Sequence, residues 1–365
     1  MKKRKLLILI SIAGVLIGTA FLVVHFLLAK KPKHDDLNQR KFIAEQKDTK
    51  SQLDSIASTF DVRICRYDQD VKNLDLNHLQ EGLKKLGQNY SGLFIDADTW
   101  TYPEAVQQMY NFLTDSYIVE LYKEVDKQYP SLDFLQTELK QALTYYLYYF
   151  PGSKIPTFYS FVGGIDPESN MKLVWGQESG EQLSIILHLD WYLGKDNPYY
   201  GILPQYIRYQ CDKRFLAIDC FRNVLVQEHL PNREPITLLD NMIDAGKVIY
   251  FTEMMFPEQP MVDIFGYTEE ELTWAKQHHG DVWNYLIEND QVFSKDSKII
   301  RYLIDVAPET KPFKGSPGRM GQFIGWMIVC KYMENHPETS LEELMNMTDA
   351  KAVLNSSGYK PQKQS

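Results

Sequence analysis

The sequence predicts an α+β body, mostly helical with a small antiparallel sheet, behind an N-terminal transmembrane helix. Apolar residues recur at three- and four-residue spacing through most of the chain, the pattern of helices that bury one face. Short alternating runs rich in β-branched and aromatic residues, bounded by Gly and Pro, mark the strands. Residues 6–29 are apolar except for Ser11, Thr19 and His25, long enough for the roughly 20 residues a spanning helix needs.

That first segment sets the domain plan: 1–33 a signal anchor, 34–60 a polar spacer, and 61–360 one folded domain. A cleaved signal peptide has a shorter apolar core and a small-residue cleavage site, whereas this core ends in Leu27-Leu28-Ala29 and runs straight into Lys30-Lys31. The expectation is an uncleaved anchor with a cytoplasmic N-terminus, although basic residues on both sides leave the charge rule little to decide.

The 44% hydrophobic and 13% aromatic content is ample for a core. Seven of the 39 Lys and Arg lie in the first 33 residues, which contain no acid, leaving 32 basic against 48 acidic side chains in the rest. Such an acidic body argues against nucleic acid as a partner.

Within the body, 61–67 alternates and reads as a strand. Residues 76–86, 103–112 and 131–149 read as amphipathic helices, with Pro103 in the first turn of its own. The aromatic run Thr144-Tyr-Tyr-Leu-Tyr-Tyr-Phe-Pro is expected to pack its rings into the core before Pro151 stops the helix. Three strands follow, 156–162, 171–175 and 183–190, joined by Gly-containing connections. Beyond Gly194 the pattern is helical: 203–210, 219–229, 235–251, 268–288 and 318–334. Gly321 and Gly325, four apart in the last, let another element approach closely. The tail after Asn355 is expected to fray.

Few motifs promise chemistry. The four cysteines show no CxxC pair; Cys211 and Cys220 flank one short segment and are a candidate disulfide, and Cys330 reads as a buried thiol. No two of the eight histidines are four apart, so no HExxH zinc helix can be written. His278 and His279 diverge on a helix. His188 and Asp190 share a strand face, yet two ligands fall short of the three or four that hold an ion. Arg319, in Gly318-Arg-Met-Gly321, reads as a carboxylate partner, a turn cap or, beside Trp326, a binding contact.

From Ser131 onward the order of motifs resembles the gliding-motility lipoprotein GldB family of Bacteroidota. The resemblance rests on Tyr129-Pro-Ser-Leu, Tyr148-Tyr-Phe-Pro, Ile155-Pro-Thr, Leu189-Asp-Trp-Tyr-Leu-Gly-Lys-Asp and Leu203-Pro-Gln-Tyr-Ile-Arg. It continues through Met242-Ile-Asp-Ala-Gly-Lys, Phe265-Gly-Tyr-Thr-Glu-Glu-Glu-Leu, Trp283-Asn-Tyr-Leu-Ile-Glu-Asn and Ser316-Pro-Gly-Arg-Met-Gly, and Arg63-Ile-Cys-Arg-Tyr-Asp is similar to the family's opening strand. The resemblance implies an envelope component tied to gliding motility and its secretion machinery, with a zincin-like body distantly related to HExxH peptidases. Carried onto this chain, the zinc-helix histidines would fall at Arg222 and Val226, the catalytic base at Asn223 and the third ligand at Ala245, none of which can serve. Family members carry a lipid-modified Cys after a short signal, but no Cys precedes Cys65 here, so the uncleaved helix is expected to replace the lipid.

The function expected is therefore a non-catalytic binding or scaffold protein, without metal or cofactor. It would be anchored in the inner or outer membrane, with its body in the periplasm and an envelope protein as partner. Asp190, Tyr192, Arg208, Arg319 and Trp326 are the candidate binding residues. The enzymatic alternative is a metal-dependent hydrolase with a rearranged site built from His188, Asp190 and Glu228.

Overall fold

The computed structural model describes residues 47–90, 97–168, 171–178 and 182–361. The apolar run 6–29 lies outside the described residues, and among those described no helix is long and apolar enough to cross a membrane. The described residues from Ser51 onward form one compact unit.

The described chain opens with α1 (Lys47–Ala57), the two-residue strand β1 (Ile64–Cys65) and α2 (Tyr67–Lys72). Then come α3 (Leu79–Asn89), α4 (Pro103–Thr114), α5 (Ser116–Gln128) and α6 (Asp133–Tyr149). Asp115 ends α4 and starts α5, its side chain accepting from the N–H groups of Tyr117 and Ile118, which supplies two donors the first turn of a helix otherwise leaves unmet. The expected aromatic end of α6 lies in the core: Tyr146 and Phe150 are buried, and His229 stacks on Phe150 at 3.8 Å between ring centres.

The sheet corrects the sequence reading. It comprises β1, β2 (Thr157–Phe161), β3 (Leu173–Glu178) and β4 (Gln182–His188), in the order β1-β2-β4-β3. β1 and β2 are parallel, β2 and β4 are parallel, and only the β3–β4 hairpin is antiparallel. The sheet is thus mixed rather than antiparallel. The physical reason is visible in β4, where Leu183 through Leu187 are all buried: a strand covered on both faces reads as a continuous apolar run, the mark of a parallel strand.

The C-terminal part has α7 (Gln205–Arg208), α8 (Leu216–Asp219), α9 (Leu238–Met255), α10 (Met261–Phe265) and α11 (Glu269–Glu288). It closes with α12 (Ser297–Ile304), α13 (Met320–Asn335), α14 (Leu341–Asn346) and α15 (Ala350–Ser357). α9 carries buried residues around its circumference and packs on α6, α10, α12, α13 and α15. Its closest crossing is with α13, where small residues meet: a Cβ on Gly246 would sit 2.3 Å from the carbonyl carbon of Gly325. The close approach expected at Gly325 is made to α9.

Three further expectations change. The predicted helix 219–229 is not regular: after α8 the backbone widens into a π turn over Cys220–Val224, then tightens to a 3₁₀ turn over Leu225–His229. Cys211 and Cys220 are not bridged; each is a buried thiol whose Sγ donates to the carbonyl four residues earlier, Ile207 and Leu216 respectively. The tail is held past Asn355, because Tyr359 is buried against Trp283 and its hydroxyl lies 2.8 Å from His279 Nδ1.

Candidate binding cleft

A cleft of about 790 Å³ is the candidate site; its wall includes α7, the turn at Gly266–Thr268, the stretch after α12 and the start of α13. Leu203-Pro204 leads into α7, and Arg208 Nε donates back to the Leu203 carbonyl at 2.8 Å, fixing the direction of that side chain. α10 ends at Gly266 in the left-handed conformation, φ 64°, a common helix stop. The turned chain presents the Gly266 carbonyl to Arg319 and the Tyr267 ring beneath it.

Arg319 is the centre of the site. It precedes α13 with φ 61°, a region uncommon for a residue with a side chain. Nη2 donates to the Gly266 carbonyl at 3.2 Å, and the guanidinium lies 4.9 Å from the centre of the Tyr267 ring. Tyr267 in turn donates its hydroxyl to the Gly318 carbonyl at 2.6 Å. Arg319 is 9% exposed, and among the described residues no carboxylate stands within 4.0 Å of it. Burial lowers its pKa from the ordinary arginine value.

The same wall carries Arg208 and Lys195, with Asp196 and Glu271 as its acids. Glu271 is already engaged, Oε2 accepting from the Thr268 N–H at 2.8 Å in the cap of α11. Tyr206, Tyr209, Pro204 and Val306 supply apolar surface.

Of the candidate residues named from sequence, Arg208 and Arg319 come together on this cleft; Asp190, Tyr192 and Trp326 do not line it. Trp326 is buried, donating Nε1 to Glu253 Oε2 at 2.9 Å and meeting Phe265 edge-on. Tyr192, fully buried, donates its hydroxyl to Asp219 Oδ2 at 2.9 Å. Asp190 sits just past β4, its Oδ2 accepting from the Gly164 N–H at 2.7 Å. Burial pushes Asp190 up to about 7 and His188 down to about 4. Asp190 Oδ1 and His188 Nδ1 are buried without a partner among the described residues.

The four positions where zinc ligands and base would fall differ in their surroundings. Arg222 is tied to Asp219 Oδ1 at 2.5 Å, Asn223 is exposed, Val226 is buried and Ala245 is half-buried. The π turn also removes the i, i+4 register that two ligands on one helix face require. Glu228 is exposed, and among the described residues no group of three or more His, Cys, Asp or Glu is placed to hold a metal ion.

What the sequence did not single out is Tyr267, which holds the Arg319 guanidinium. The pair lies 52 residues apart in the chain, and the signal that could have joined them is the left-handed Gly266 immediately before an aromatic residue.

The fold and cleft define a mainly helical α+β protein with a mixed four-stranded sheet and a groove lined by Lys195, Arg208 and Arg319. The family model described as gliding motility protein GldB matches residues 46–361, and the chain belongs to that family. No curated protein and no solved structure matches it.

Proposed function

We propose that this chain is a non-catalytic binding protein of the cell envelope, related to the gliding-motility machinery, whose cleft holds a segment of another envelope component. The apolar run 6–29 would serve as its membrane anchor, with the body on the periplasmic side. The zincin-like ancestry implied by the resemblance fits a scaffold whose metal positions have become Arg222, Asn223, Val226 and Ala245.

The observation that carries the reading is Arg319: a buried cation, fixed by backbone and ring, that lines the cleft with no carboxylate within 4.0 Å among the described residues. Leaving such a charge unpaired is costly, and an occupant that supplies the missing acceptor offsets the cost. Family membership supports the envelope setting.

The test is in-cell photocrosslinking from Tyr206 on the cleft wall, with Gln108 on α4 as the control position. An adduct formed from Tyr206 and absent from Gln108, weakened by Arg208→Glu, is the expected result. No adduct from Tyr206, or equal adducts from both positions, overturns the proposal.

A further inference from the structure

We infer that the occupant of the cleft is a peptide segment bearing a carboxylate side chain, an inference that rests on the cleft being the partner site. It starts from how the other arginines are used. Arg66, Arg214, Arg222 and Arg233 are half-buried, and each stands within 4.0 Å of a carboxylate. Arg208 and Arg319 are also withdrawn from solvent, yet neither meets a carboxylate among the described residues. Both line one cleft.

Each of these two guanidinium groups is held by a single backbone carbonyl, Leu203 for Arg208 and Gly266 for Arg319. Their remaining N–H groups have no acceptor among the described residues. A guanidinium fork whose direction is already fixed suits a planar carboxylate, which accepts two parallel hydrogen bonds. The amino end of α13, with Arg319 at its cap, adds favourable potential for a negative charge.

Asp196 and Glu271 on the same wall discriminate among anions. They repel a doubly charged phosphate more strongly than a singly charged carboxylate, and the exposed Asp196 offers an acceptor to peptide N–H groups. Tyr206, Tyr209 and the half-exposed Val306 give apolar neighbours of an acidic side chain somewhere to lie. The cleft volume of about 790 Å³ accommodates several residues rather than an isolated ion.

The test uses the full-length chain purified in detergent and a library of random octapeptides blocked at both ends. Peptides retained by the wild type should be enriched in Asp and Glu, and the enrichment should vanish with Arg208→Gln and persist in part with Arg208→Lys. For a selected peptide, Arg208→Gln or amidation of its acidic side chain should weaken binding roughly tenfold to a hundredfold, the loss of one charge-assisted hydrogen bond. A retained pool with no acidic bias, a bias unchanged by Arg208→Gln, or displacement by inorganic phosphate as readily as by acetate overturns the inference. Arg208 is chosen because Arg319 also holds the backbone at the start of α13. A Tyr206 adduct in cells without acidic enrichment in vitro sinks this inference alone; loss of the adduct sinks the cleft reading beneath it.

Discussion

A Cβ placed on Gly325 would lie 1.7 Å from the carbonyl oxygen of Met242, so α9 and α13 touch backbone to backbone. Neither side can give way, because backbone rather than a flexible side chain stands in the path. Gly325→Ala should cost at least about 3 kcal/mol, beyond the usual range for an overpacked core, and leave little soluble protein. Gly321→Ala, whose Cβ would be 2.8 Å from the Leu303 carbonyl, should be milder. Urea unfolding of the two variants compares them; equal and small effects would mean the helices cross further apart.

Trp326 was a candidate binding residue, and its surroundings make it a core residue at 5% exposure. Trp326→Ala should destabilise by about 3–5 kcal/mol, the usual cost of deleting a large buried ring. An unchanged urea midpoint, with only binding lost, would return Trp326 to the surface.

Asp219 accepts from both the Tyr192 hydroxyl and Arg222 Nη2. Asp219→Ala leaves Arg222 with the Ile264 carbonyl at 3.4 Å and should cost about 3–5 kcal/mol, as expected when one member of a buried ion pair is removed. The double variant Asp219→Ala, Arg222→Met should be more stable than Asp219→Ala alone. A strictly additive loss in the thermodynamic cycle would show that the two do not interact.

Asp190 gives a pH signature. Burial raises its folded pKa to about 7, so its contribution to stability is complete below about 4, the unfolded value, and is lost as pH rises to 7. His188 runs the other way: with a folded value of about 4, its contribution is complete above about 6.5 and lost as pH falls. The two oppose each other over most of that window, so the wild-type profile alone hides both. The stability of wild type minus that of Asp190→Asn isolates Asp190, and should fall by up to roughly 4 kcal/mol between pH 4 and 7, then level off. A flat difference would place Asp190 in contact with water.

The sequence by itself determined the family, the helix-rich body, the burial of the aromatic end of α6, and the tight helix contact at Gly325. These features depend on local periodicity, on motif order or on a small side chain, all written along the chain. It also brought forward Arg208, the last residue of Leu203-Pro-Gln-Tyr-Ile-Arg, and Arg319, in Gly318-Arg-Met-Gly321. The tertiary structure alone decided that β4 inserts between β2 and β3, that residues 220–229 wind irregularly, and that Trp326 turns inward. It also showed that Arg208 and Arg319, more than a hundred residues apart, face one cleft. Strand order and the meeting of distant side chains are fixed by which surfaces are buried together, and spacing along one segment holds no information about the segment that covers it.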